Sequence, residues 1–165
     1  MNGSEDGAAS VWIHVGDVAI GDSAQALRQC LEQLQESRSI LGGLAFSLAE
    51  LDQAANEARS DGWDGYQGVA LDCDTWARAR RILIDLAPGL PTPSVEADPR
   101  GGVLLSWRPA PDRGFVVAIR DSGRMTFGGR RGSSGIHGHE VGHDQLPAPI
   151  VHELRRMIGS DPRTP

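Results

Sequence analysis

Five consecutive residues, His139-Glu140-Val141-Gly142-His143, spell H-E-x-x-H. On a helix that spacing sets two imidazoles one turn apart on one face, where they hold zinc, with the glutamate placed to act as base toward the metal-bound water. The string therefore implies a zinc-dependent hydrolase, with His139 and His143 as metal ligands, Glu140 as base, and His137 or Glu153 as a third ligand. The surrounding residues argue for a different backbone. Gly135, Gly138 and Gly142 interleave with the motif, and each glycine costs a helix interior about 1 kcal/mol against alanine. Pro147 and Pro149 then block the long scaffold helix that such sites use. On a strand rising about 3.3 Å per residue the two histidines share a face but stand about 13 Å apart, too far for one ion. The stretch is expected to be extended or looped. No catalytic residue and no cofactor is assigned, and His137, His139 and His143 remain as a cluster that binds metal adventitiously at most.

Other constellations are weaker. All sixteen basic residues are arginine, which removes the lysine P-loop and Schiff-base chemistry. Gly132-Ser133-Ser134-Gly135 has its glycines at the wrong offsets for a nucleophile elbow and reads as a flexible loop. Cys73 lies between Asp72 and Asp74, whose negative charge opposes thiolate formation. Asp61, Asp64, Asp72 and Asp74 fit no calcium loop and read as caps. Arg120, Arg124, Arg130 and Arg131 surround the last hairpin, where they either contact phosphate or an acidic partner, or form a solvated face.

The elements that carry these residues follow from periodicity. Residues 1–10 read as a disordered tail, and Val11–Ile20 as a strand or hairpin. Asp22 or Ser23 then caps a helix whose leucines recur at seven-residue spacing: Leu27, Leu34, Leu41 and Leu48. Cys30, Leu44 and Leu51 form a second line beside them. Gly42-Gly43 implies a kink or a turn between two helices, about 23–41 and 44–58. The leucine stripe either packs on the protein's own sheet or mediates self-association or docking on a partner protein.

A glycine-rich stretch, residues 59–70, precedes a helix over 74–87 capped by Asp72 or Asp74. Trp76, Ala79, Leu83 and Leu86 form its buried face, with Arg78 and Arg81 pointing away. From Leu90 to about Val141 the period is two. Val95, then Val103, Leu105 and Trp107, then Phe115, Val117 and Ile119, then Met125 and Phe127 mark four strands, and Ile136–Val141 a fifth. Short turns between them, including Asp121-Ser122-Gly123, require an antiparallel meander. Residues 148–158 form a last helix, with Pro149 in its first turn and Gly159 after its end. The fold class is α+β: an antiparallel four- to five-stranded meander packed by helices, preceded by a leucine-striped helical segment. The organisation is a tail (1–10), an N-terminal strand and helical segment (11–58) and an α+β domain (59–160).

Several of these residues form a pattern: Trp63-Asp64-Gly65-Tyr66, then Leu90-Pro91-x-Pro93, then Gly101-Gly102-Val103-x-Leu105-x-Trp107. The order resembles a loose group of small uncharacterised bacterial proteins with a WDG…LPxP…GGVxLxW pattern. That group has no established activity, so the resemblance implies a fold and no chemistry. The residues themselves suit structural work. The Trp63 indole N–H meets a loop carbonyl, Asp64 accepts backbone N–H groups, and Gly62, Gly65 and Gly68 allow positive φ. The alternative is a binding pocket built from Trp63, Asp64 and Tyr66.

Charge and cysteine count bound the rest. The net charge is −6. Residues 1–72 hold twelve acidic residues against three arginines, and residues 73–165 ten against thirteen. The acidic balance disfavours nucleic acid as the main partner. Two cysteines make no disulfide scaffold, and no charged-then-apolar leader opens the sequence. No apolar run approaches the ~20 residues of a membrane span. The expectation is a cytoplasmic, non-catalytic protein that binds another macromolecule as an accessory or regulatory subunit, an antidote or inhibitor of a partner protein among the forms this takes. The zinc hydrolase and a weak nucleic-acid contact through the C-terminal arginines are the alternatives.

Overall fold

A computed structural model describes residues 17–142 and 144–159, with the side chains of residues 17–24, 26, 27, 30 and 34–40 outside the description. The chain divides into two units, Met1–Arg38 and Ser39–Pro165. The described part of the first unit is helical backbone. The elements in order are α1 (Asp17–Glu57), α2 (Cys73–Ile84), β1 (Ser94–Asp98), β2 (Gly102–Ala110), β3 (Arg113–Ile119), β4 (Arg124–Arg131), β5 (Ser134–Val141) and α3 (Ala148–Ile158). Among the described residues no helix is long and apolar enough to cross a membrane.

Two expectations for the N-terminal region are corrected. Residues 17–20 are helical rather than extended. Val18 and Ile20 disfavour helix by only about 0.5 kcal/mol each, and propagation from a long helix outweighs that. Residues 1–16, the expected tail and most of the expected strand, lie outside the described residues. Gly42-Gly43 also makes no turn between two helices, since α1 runs unbroken to Glu57. The reason lies in packing: a Cβ at Gly43 would collide with the Thr92 side chain, whereas one at Gly42 would meet nothing within 4 Å. Gly43 thus lets the helix approach the segment entering β1. From there α1 sends Leu51, Ala54 and Ala58, just past its end, into the interior, with Leu44 and Leu48 packed against it.

Asp72 caps α2, its carboxylate accepting the N–H groups of Asp74 and Thr75 and the Thr75 hydroxyl. This satisfies donors that the first turn leaves orphaned. Burial raises the Asp72 pKa, but the Thr75 hydroxyl, the two N–H groups and the charge of Arg78 outweigh it and hold the carboxyl below its usual value. Ala79, Ile82 and Leu83 face the core. Arg81 points outward and pairs with Asp144 at 2.7 Å. Arg78 does not point away as its helical position suggests. It is half-buried and donates to the Arg120 and Asp121 carbonyls, 3.0 Å each, tying α2 to the β3–β4 turn.

The five strands form one antiparallel sheet in sequence order, β1 to β5. Register puts Val95, Leu105, Val117, Phe127 and Gly138 in one row across it. Val103, Leu105, Trp107, Phe115, Val117, Ile119 and Met125 are buried on the same face. Helix α3 brings Ile150, Leu154, Met157 and Ile158 to that face, and α2 adds Ile82 and Leu83. All three helices therefore contribute to one core on one side of the sheet. Gly132 takes the β4–β5 turn at φ +59°, while Ser134 and Gly135 already belong to β5. The expected flexible loop is thus a tight turn, closed because Gly129–Arg131 pair with Ser134–Ile136.

The WDGY, LPxP and GGVxLxW residues work as parts of this framework. The Trp63 indole donates to the Val69 carbonyl at 3.1 Å, and Asp64 accepts from the N–H groups of Tyr66 and Gly68 at 2.9 Å. Gly62 and Gly65 have φ near +80°; Gly68 serves differently, because a Cβ there would collide with Asp64 and the Trp63 indole. Trp107 donates its indole N–H to Pro91 O at 2.7 Å, and the Ser47 hydroxyl donates to Pro93 O, so both prolines' carbonyls are held.

Candidate functional site: the sheet face opposite the core

Inward positions on the strands are odd-numbered, so the even-numbered residues of β1, β2, β3 and β4 face away from the helices. On β5 the alternation inverts, and Gly135, His137, His139 and Val141 share that outer face. Register orders the face into rows. One runs Glu96, Leu104, Ala118, Thr126, His139; the next Ser94, Ser106, Val116, Gly128, His137. Beyond them Gly114 faces Arg130, and the aliphatic part of Arg108 lies beside Gly114. The row Arg108–Gly114–Arg130 thus sets two guanidinium-bearing residues on either side of a glycine, about 10 Å apart at two strand spacings.

A cleft of about 840 Å³ opens at this end of the sheet, with Arg108 and Arg130 from the outer face and Arg113 from an inward position of β3 around a floor that includes Gly114, Val116 and Gly128. Its position follows from local irregularity. The β2–β3 register shifts between Trp107 and Ala110, where Pro109 cannot donate to the ladder. Among the described residues no carboxylate lines the cleft. Arg113 donates to Gly159 O at 3.3 Å and Arg130 to Pro111 O at 3.4 Å. These contacts orient the two guanidinium groups without neutralising them. Arg108 is exposed, and among the described residues it makes no hydrogen bond or ion pair. Guanidinium groups so placed have the donors to hold carboxylate or phosphate oxygens.

Of the four arginines singled out from the sequence, only Arg130 reaches this cleft. Arg120 pairs with Asp98 at 3.5 Å, Arg131 donates to Arg156 O, and Arg124 lies at the other end of β4. Arg108 and Arg113 escape the sequence reading. A signal for Arg108 existed: it continues the outward alternation Leu104, Ser106 opposite the buried Val103, Leu105 and Trp107. Arg113 gave none, because it depends on the turn geometry.

The H-E-x-x-H residues do not form a helical turn. His139 pairs with Thr126 and Glu140 with Met125 in β5, so the histidine and glutamate point to opposite faces of the sheet. His143 lies outside the described residues. His137 and His139 are exposed neighbours on the open face. Among the described residues no three metal-ligating side chains converge. Asp61, Asp64 and Asp72 each accept backbone N–H groups in their own loops.

The WDGY residues do not converge on one pocket. Trp63 walls a cleft of about 390 Å³ with Glu50, Gln53, Glu57 and Glu96, but Asp64 and Tyr66 do not line it. Glu50 is occupied with the Val95 N–H and Glu57 with the Gln53 amide. Asp64 has its pKa lowered by the N–H groups of Tyr66 and Gly68, while Tyr66 is 87% exposed. The leucine stripe divides: Leu48 packs against the core, Leu41 is exposed, and the side chains of Leu27 and Leu34 lie outside the described residues. No family model, no curated protein and no solved structure matches this chain.

Proposed function

We propose that this chain is a non-catalytic, cytoplasmic binding protein, an accessory or regulatory subunit that engages an acidic partner protein on the open face of its sheet. An inhibitor or antidote acting on that partner is one form of this role. The observation that carries the proposal is the arginine cleft: Arg108 and Arg130 on the sheet face opposite the core, with Arg113 joining the lining from an inward position of β3 and no carboxylate among the described residues that line it. In a chain of net charge −6 a local cationic surface is set against the background field, and such patches steer complementary partners.

Protein fits this surface better than nucleic acid. Single strands are held by stacking on aromatic side chains, and here Trp107, Phe115 and Phe127 all face the core. Hydrolysis through Glu140 is disfavoured because His139 and Glu140 point to opposite faces of β5.

The test is fluorescence anisotropy of a labelled oligoglutamate peptide at low and at physiological salt, with a labelled oligonucleotide in parallel. Saturable peptide binding that weakens with salt and falls at least tenfold in Arg108→Ser/Arg130→Ser supports the proposal. Absence of binding at low salt, or tighter binding of the oligonucleotide, overturns it.

A further inference from the structure

The two edges of the sheet are treated differently. On β1 the outward-facing N–H of Val95 donates to the Glu50 carboxylate of α1 at 2.9 Å, and the Ser47 hydroxyl holds the Pro93 carbonyl just before the strand. That edge is capped by a charged side chain and a helix, two of the devices that prevent strand addition. The β5 edge has neither among the described residues. It pairs with β4 without a register shift over all eight residues, from Ser134 to Val141, and contains no proline and no lysine. Gly142 donates to Gly123 O at 3.0 Å. Hydrogen-bonded pairs recur every second residue in an antiparallel ladder, so the even-numbered residues of β5 bond to β4. Gly135, His137, His139 and Val141 then turn their N–H and C=O groups outward. All four residues are exposed, and among the described residues those groups find no protein partner.

We propose that the partner's binding segment is an extended strand that adds antiparallel to β5, carrying acidic side chains on the open face and apolar ones on the other. This rests on the reading of the open face as the binding surface and specifies how it is used. Charge complementarity identifies the occupant. Residues directly opposite in an antiparallel pair share a face. A sixth strand therefore places alternate side chains beside His137 and His139, with Arg124 and Arg130 one strand further in on the same face. Its remaining side chains fall beside Ile136 and Glu140 on the core side, where an apolar residue extends the core and an acidic one meets a like charge. Main-chain hydrogen bonds supply affinity, and the alternation supplies selectivity.

The probe is a labelled peptide alternating valine and glutamate, titrated into the full chain, beside two versions N-methylated either on the glutamates or on the valines. In the proposed pairing the glutamates exchange hydrogen bonds with β5. Methylating them is expected to weaken binding at least tenfold, whereas methylating the valines leaves it within about threefold. His139→Pro removes an outward N–H while leaving the β4 ladder intact, and is expected to match the loss with an unchanged far-ultraviolet circular dichroism spectrum. Equal binding of all three peptides overturns strand addition and leaves the acidic-partner reading standing. Loss on valine methylation instead overturns the antiparallel placement. Failure of the unmodified peptide to bind at low salt overturns both. A dimer by light scattering that becomes monomeric in His139→Pro also overturns the proposal, because the occupant is then a second copy of this chain.

Discussion

Gly42 and Gly43 are adjacent residues of one helix, with the same intrinsic cost and opposite surroundings. Replacing either by alanine gains about 1 kcal/mol of helix propensity. At Gly42 nothing lies within 4 Å of the new methyl group, so that gain should appear almost whole. For a unit of this size it raises the melting temperature by about 3–5 °C. At Gly43 the methyl group meets the Thr92 Oγ1, Cβ and Cγ2 atoms. Oγ1 is the atom that must move, and Cβ and Cγ2 at 3.3 Å crowd the methyl group as well, so the threonine has to shift or turn to another rotamer. Overpacking of this kind costs about 1–3 kcal/mol, so Gly43→Ala should be neutral to destabilised by about 2 kcal/mol. The expected gap between the two variants is therefore about 1–3 kcal/mol. Urea denaturation followed by circular dichroism measures it, with thermal melts as a check. In a Thr92→Ala background the obstruction is gone, and the gap should close to within about 0.5 kcal/mol. Equal stability of the two variants with Thr92 present would refute the packing of α1 against the segment before β1. A gap that persists in the Thr92→Ala background would refute its attribution to the threonine side chain.

Three further outcomes follow from the same contacts. Trp107→Phe keeps most of the buried ring but removes the donor to Pro91 O, and should cost about 1–3 kcal/mol in urea denaturation; a loss under about 0.5 kcal/mol would show that the bond contributes nothing net. Asp64 and Asp72 have folded pKa values below the ordinary 3.8, so their stabilisation is present above that value and lost as pH falls through the lower folded values. Asp72→Ala should lower stability at neutral pH by about 1 kcal/mol and flatten the acid limb of a stability–pH curve, whereas an unchanged limb would count against the cap. Glu50→Ala should release the Val95 N–H and open the β1 edge. Static light scattering should then show concentration-dependent association absent from the parent chain, and a strictly unchanged mass would mean that other groups guard that edge.

Local chemistry alone specified much of the framework. The alternation of Val103, Leu105, Trp107, Phe115, Val117 and Ile119 marks the inner face of two strands, since side chains alternate across a pleated backbone whatever lies beyond. Short turns such as Asp121–Gly123 leave antiparallel order as the only connection. Asp72 as a cap and the limits of α3 are likewise decided within a few residues. The interleaved glycines around His139 and Glu140 were enough to favour strand over the helix their H-E-x-x-H spelling implies.

Other features belong to the tertiary structure, because their causes lie far along the chain. Gly42-Gly43 reads as a break until Thr92 supplies the reason for a missing Cβ. Arg78 lies outside the apolar stripe of α2 and still turns inward, because the Arg120 and Asp121 carbonyls wait there for a donor. The arginine cleft needs residues from β2, β3 and β4 at once. Periodicity shows that each strand has a polar side; only packing decides that, among the described residues, the helices leave it open and that β5, not β1, keeps a free edge.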